Sequence, residues 1–293
     1  MTDLYMEFQL IDRCNWDCSY CNYASRYRLN DEIEFNELTI QNIKMVSNLI
    51  NTISQHFRIH MLAQGGEIGL LSYDKLNQFF TTLNQQNITI STNGEFIKHN
   101  YHTKFSSYIG QVHYHITPDL NIDSTTQSTV DVIPGAVITH YSTEAIDTIT
   151  QQYQLKYLDF ELPLDEELTE EKYNTIIASR QYIKQQHPTL YDNCPNNILP
   201  YQELLKYQEG CAKSGRIITV DFTHNCLCLC SVKNRHITLP LTKENLVKLL
   251  TNFSVYDTVN NNCSKCVRNC FSFDKHEITK LLLVKQQLRR LLC

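Results

Sequence analysis

Three cysteines, Cys14, Cys18 and Cys21, stand within one short stretch that reads Cys14-Asn15-Trp16-Asp17-Cys18-Ser19-Tyr20-Cys21. As thiolates they could hold three irons of a cubane iron–sulfur cluster and leave the fourth iron open for a small molecule. A structural zinc site closes its shell with four Cys or His ligands, and the nearest histidine in sequence, His56, is far from this loop. The bland alternatives are cysteines that fall together by chance, or half of a zinc site completed from a distance.

Further stretches carry chemistry downstream. In Gln64-Gly65-Gly66-Glu67 two glycines permit a close backbone approach to a ligand, and the carboxylate can accept hydrogen bonds from an ammonium. The plain alternative is a strand-to-helix turn. Thr92-Asn93-Gly94 has turn chemistry of its own. His113 and His115 alternate on one face of a strand, where a hydrogen-bonded core histidine is as good a reading as a functional one. A second cysteine set follows: Cys211, then Cys226, Cys228 and Cys230 at period-two spacing, then Cys263-Ser264-Lys265-Cys266 and Cys270. By count these satisfy a four-thiolate iron–sulfur cluster or a structural zinc ion. Cys194 and Cys293 are left over.

The elements that must position these residues alternate between strand and helix, as in a parallel sheet covered by helices. Strands are predicted at Leu4 to Ile11, Arg58 to Ala63, Ile88 to Thr92, Gln111 to Ile116, Ala136 to His140 and Lys156 to Glu161. Helices are predicted at Asn36 to Ile53, Tyr73 to Leu83, from Thr143, and from Glu170 to Gln185. The alternation stops after His187-Pro188, where a domain boundary is placed. Beyond it Arg216 to Phe222, a turn at Thr223-His224-Asn225 and the cysteine-bearing run make a hairpin. Helices follow near Lys243 to Leu250 and over Lys275 to Leu292.

Composition narrows the function classes. The 293 residues are 42% hydrophobic, 19% charged and carry a net charge of −5, so whole-molecule attraction to nucleic acid is not expected. The segment Met1 to Arg13 is no signal peptide, and no apolar run reaches membrane-spanning length. A cytoplasmic protein without membrane or nucleic-acid partners is the expectation. Twelve cysteines in such a chain read as metal ligands more readily than as disulfides.

The Cys-x3-Cys-x2-Cys loop after a first strand resembles the signature of radical S-adenosylmethionine (SAM) enzymes, with Tyr20 where that family carries an aromatic. The resemblance implies a [4Fe-4S] cluster on Cys14, Cys18 and Cys21. SAM would bind its open iron, and reductive cleavage would give a 5′-deoxyadenosyl radical that abstracts a substrate hydrogen. Gly65, Gly66 and Glu67 match the Gly-Gly-Glu that binds the methionine amino group of SAM, with Ile68 where the family often has proline. Thr92 and Asn93 become candidates for ribose or carboxylate contacts. Val137 and Thr139 lie where the family's fifth strand supports the adenine.

The C-terminal cysteines resemble the SPASM and twitch extensions of the same family, which enclose an auxiliary [4Fe-4S] cluster. The resemblance implies Cys211, Cys230, Cys263 and Cys266 as its ligands, with Cys270 as the substitute. The implied fold is α/β, a partial (β/α)6 barrel over residues 1–186 followed by a small cluster-binding extension over 187–293 with a hairpin and helices.

Family members with this extension often modify ribosomal peptides by cross-linking, epimerisation or oxidation, so a peptide is the first expected substrate. The chain starts at the barrel, so a separate leader-peptide-binding protein is an expected partner, as is an electron donor such as flavodoxin or ferredoxin. The alternatives are a radical SAM dehydrogenase or rearrangement enzyme acting on a small alcohol or sugar, and a non-enzymatic iron–sulfur electron-transfer or zinc-binding protein.

Overall fold

The computed structural model describes residues 2–16, 35–115, 130–138, 147–148, 150–152, 154–160, 169–192, 217–230, 237–251, 287–290 and 292. Its centre is β1 (Thr2–Gln9), in which Leu4, Met6 and Phe8 are buried and alternate with Tyr5 and Glu7. That period of two gives the strand an apolar and a polar face.

Parallel strands β2 (Phe57–Gln64), β3 (Ile88–Thr92), β4 (Ile109–His115), β5 (Asp131–Ile138), β6 (Tyr157–Phe160) and β7 (Tyr191–Asp192) extend the sheet on one side. On the other side β8 (Ile217–Asp221) pairs in parallel with β1, and β9 (Cys226–Cys230) and β10 (Ile237–Pro240) follow antiparallel. The result is an open ten-stranded sheet in the order β10-β9-β8-β1-β2-β3-β4-β5-β6-β7. The C-terminal hairpin therefore continues the same sheet.

The register stacks like residues across strands. Met6 lies opposite Met61 and Ile218, and Phe8 opposite Ala63 and Val220, on the apolar face. Glu7 lies opposite Leu62 and Thr219, and Gln9 opposite Gln64 and Asp221, on the other. Helices α1 (Glu37–Ile53) and α2 (Tyr73–Leu83) carry the buried residues Ile43, Val46, Ile50, Leu76, Phe79 and Phe80, which join the apolar face in one core. Phe8, Phe79 and Phe222 meet there with ring centroids 5.9–6.1 Å apart, a three-ring contact that fastens the hairpin to the rest of the core.

Local signals fix the helix ends. The Asn36 side chain accepts from Thr39 N at 2.9 Å to start α1, a cap worth about 1 kcal/mol. Ser72 caps α2, and Asn84 ends it in the left-handed region at φ 49°.

Several elements differ from the sequence expectation, among them β7 and β10, which no sequence signal pointed to. β5 starts at Asp131, not at Ala136, because Pro134 stays within the strand opposite Tyr114 and accepts from Lys156 N at 2.9 Å. Proline lacks only the donor, and its carbonyl still serves a ladder. Short helices α3 (Glu95–Lys98) and α4 (Tyr101–Lys104), too short for a periodic signal, follow β3. The helix expected from Thr143 is helical at 147–148 and 150–152, and that expected over Lys275 to Leu292 at 287–290 and 292, with the rest of both outside the described residues.

Candidate active site

Beyond Gln9 the chain keeps running beside β2. Leu10 N donates to Gln64 O at 3.0 Å, Gly66 N to Ile11 O at 2.7 Å and Glu67 N to Arg13 O at 2.6 Å. The Gly-Gly-Glu segment is thus the outer end of the β1–β2 ladder, clamped on the residues that lead into Cys14. Both glycines are required by that contact. A Cβ on Gly65, at φ +146°, would stand 2.4 Å from Ile11 O, and one on Gly66 would stand 2.0 Å from Arg13 O. The close approach these glycines permit here is to the chain's own backbone.

Glu67 is fully buried. Its Oε1 accepts from Gly69 N and from Thr92 Oγ1, both at 2.7 Å, and its Oε2 accepts from Asn93 N at 2.6 Å. Burial raises its pKa above the ordinary carboxylate value, the bonds from Asn93, Thr92 and Gly69 pull it back, and the charge of Glu95 adds to the rise. Thr92 Oγ1 in turn accepts from Gly94 N at 3.0 Å and from Phe96 N at 3.4 Å. Gly94, at φ 115°, makes the left-handed turn into α3.

Asn93 connects this knot to the cysteine loop. Its Nδ2 lies 2.7 Å from Asn15 Oδ1 and 3.7 Å from Cys14 Sγ. Trp16 N also points at Cys14 Sγ, at 3.4 Å. N–H donors aimed at a sulfur favour its thiolate, the form that binds metal. Asn93 Oδ1 is buried and has no hydrogen-bond partner among the described residues. Asn15 Nδ2 continues the chain to Glu95 Oε1 at 3.1 Å.

Removing the carboxylate by Glu67→Ala leaves three donors, two of them buried, without their acceptor. At about 1–3 kcal/mol for each buried group left unpaired, the variant should lose roughly 3 kcal/mol of stability. Urea unfolding measures it, and a loss under about 1 kcal/mol would show that the knot does not hold the site together.

The structure therefore brings Cys14, Gly65, Gly66, Glu67, Thr92 and Asn93 into one connected cluster. Cys18, Tyr20, Cys21, Thr139, Cys211, Cys263, Cys266 and Cys270 lie outside the described residues. Val137 sits in β5, opposite Asp159 of β6, and Cys230 sits in β9, opposite Ile237 of β10.

Sequence reasoning missed two parts of the site. One is Asn15 with Glu95, polar residues of ordinary loop type. The other is the bridge at the ends of β1 and β8, where His224 Nε2 lies 3.1 Å from Asp12 Oδ2 and Nδ1 lies 2.8 Å from Asp221 Oδ2. His113 and His115 sit on the polar face of β4. His115 Nε2 is 2.9 Å from Ser91 Oγ, and its burial and the nearby His113 push its pKa down to about 4, so it is a neutral hydrogen-bonding group at physiological pH.

Comparison with solved structures decides the fold. The chain matches anSMEcpe, with bound AdoMet and the Cp18Cys peptide, at TM-score 0.58 over 97% of this chain and 88% of that one. It matches Streptococcus suis SuiB bound to precursor peptide SuiA at 0.56, over 92% and 71%. The fold is that of the radical SAM enzymes. SuiB bound to S-adenosylmethionine gives 0.54 over 97% and 72%. Identity is 12–15% in all three, so the likeness is one of fold. No protein-family model matches the chain, and no curated protein matches it in sequence. In this radical SAM fold the described part of the cysteine loop starts where β1 ends, and the Gly-Gly-Glu and Thr-Asn-Gly segments stand at the ends of β2 and β3, next in order across the sheet. Ligands of parallel α/β sheets gather at these carboxyl ends. Among the described residues, no helix is long and apolar enough to cross a membrane.

Proposed function

We propose that this chain is a radical SAM enzyme that modifies a peptide. One observation carries the chemistry: the Cys14 thiol, at the outer end of the central strand, is faced by N–H groups of Trp16 and Asn93, and Asn93 is itself fixed on Glu67. A thiol so placed fits a cluster ligand, and Cys18 and Cys21 complete the three-thiolate set. When bound, the [4Fe-4S] cluster with SAM supplies one-electron reduction of the sulfonium and the hydrogen-abstracting radical that follows.

The chain's own residues bind and orient. Asn93 Oδ1, buried without a partner among the described residues, is an acceptor for an ammonium or hydroxyl of SAM. Among the described residues Glu67 Oε2 accepts a single bond, and it keeps a lone pair for the same ammonium. Thr92, Gly65 and Gly66 hold these two in place, Tyr20 sits within the cysteine loop, and Val137 and Thr139 support the adenine. A partial (β/α)6 barrel over residues 1–186 shields the radical from water. The extension over 187–293 carries an auxiliary [4Fe-4S] cluster on Cys211, Cys230, Cys263 and Cys266, with Cys270 as the alternative ligand. An electron donor of the flavodoxin or ferredoxin kind and a leader-peptide-binding partner would act with it in the cytoplasm.

Support for a peptide comes from anSMEcpe and SuiB, whose structures hold peptides. The test is mass spectrometry of candidate precursor peptides incubated with reduced, reconstituted protein and SAM. A SAM-dependent mass change or cross-link in one of them is expected. Turnover of a small alcohol or sugar with every peptide unchanged would overturn the peptide reading while leaving the radical chemistry standing.

A further inference from the structure

The thiols of Cys226 and Cys228, members of the second cysteine set, are not among the ligands assigned above to either cluster. Both stand on β9 beside Asp221 of β8, and one ligand atom from each of the three residues lies within 4.8 Å of the other two. Asp221 is fully buried, Cys226 is 8% exposed and Cys228 is half-buried. Neither thiol is in a disulfide.

Two features separate this trio from packed, inert cysteines. A cysteine that acts as a small hydrophobe joins the apolar side of its strand. Here Leu227, fully buried, takes that side, and the thiols share the opposite face with Glu7, Gln9 and Thr219. The second feature is how the carboxylate is held. Asp221 Oδ1 accepts from His224 N at 3.0 Å and Oδ2 lies 2.8 Å from His224 Nδ1. The group is fixed in orientation by one residue, and each oxygen retains a second lone pair. That is how partners outside a metal's own shell orient a ligating carboxylate.

We propose that Asp221, Cys226 and Cys228 form a mononuclear zinc site, separate from any iron–sulfur cluster. Two thiolates and a carboxylate suit zinc in hardness. Bonds of about 2.3 Å to sulfur and about 2.1 Å to oxygen in a tetrahedron set the donor atoms roughly 3.5 Å apart, within reach of the observed cluster. Three protein ligands leave the fourth position to water or to an incoming thiol or carboxylate. The proposal stands independently of the radical SAM reading.

The full chain and its Cys226→Ser/Cys228→Ser double variant, both titrated with zinc alone and analysed for zinc and iron, test it. The intact chain is expected to hold about one zinc ion, the double variant to bind it at least about a hundredfold more weakly, and the iron content to stay the same. Equal zinc binding by both proteins would overturn the site. A loss of about four irons from the double variant would overturn it too, because the thiols would then be cluster ligands. Cobalt titration of Cys226→Ala, which keeps the hairpin packed, guards against misfolding of the double variant. The thiolate-to-cobalt absorption should fall by about half relative to the intact chain, and an unchanged band would contradict the assignment.

Discussion

Gly66→Ala is expected to cost about 3–4 kcal/mol of stability and to weaken cluster binding on the Cys14 loop, with a loss of up to about four irons per chain. The added Cβ would stand 2.0 Å from Arg13 O, 2.4 Å from Arg13 C and 3.0 Å from Arg13 N. All three are backbone atoms, so no side-chain rotation relieves the clash. Either the Gly-Gly-Glu segment or the stretch Ile11 to Arg13 must move by about 1 Å, a displacement that overpacking normally charges at 1–3 kcal/mol. The movement breaks the bonds from Gly66 N to Ile11 O and from Glu67 N to Arg13 O, 2.7 and 2.6 Å long, each worth about 1 kcal/mol. Because Cys14 follows Arg13 directly, the thiol moves with them. Gly110→Ala is the matched control, since its nearest approach is 3.0 Å to Asn87 Cα on a surface turn, and it should lose no more than about 1 kcal/mol. Urea unfolding and iron content of both variants check this. Equal behaviour of the two would mean that the Gly-Gly-Glu contact does not position the cysteine loop.

Much of this arrangement is legible in the sequence because its signals are local. Alternation in β1 and the apolar faces of α1 and α2 each depend on residues within a few positions of one another. The Gly-Gly-Glu and Thr-Asn-Gly segments are legible as motifs. What they bind to is not, because the bonds from Thr92 and Asn93 to Glu67 join residues 25 and 26 positions apart. The pairing of β8 with β1 joins residues such as Glu7 and Thr219, 212 positions apart, and no local signal encodes that register. Alternation puts Cys226 and Cys228 on one face, but which face depends on the pairing of Cys226 with Asp221. The start of β5 is hidden by Pro134, a residue whose propensity argues against the strand it occupies.

The most direct measurement is iron and sulfide content, with 5′-deoxyadenosine formation from SAM, for anaerobically reconstituted protein and a variant with Cys14, Cys18 and Cys21 all changed to Ala. Two separate [4Fe-4S] clusters predict about eight irons per chain in the intact protein and about four in the variant, with formation of 5′-deoxyadenosine abolished. Cleavage of SAM at an undiminished rate by the variant, or no loss of iron from it, would contradict a radical SAM site on this loop.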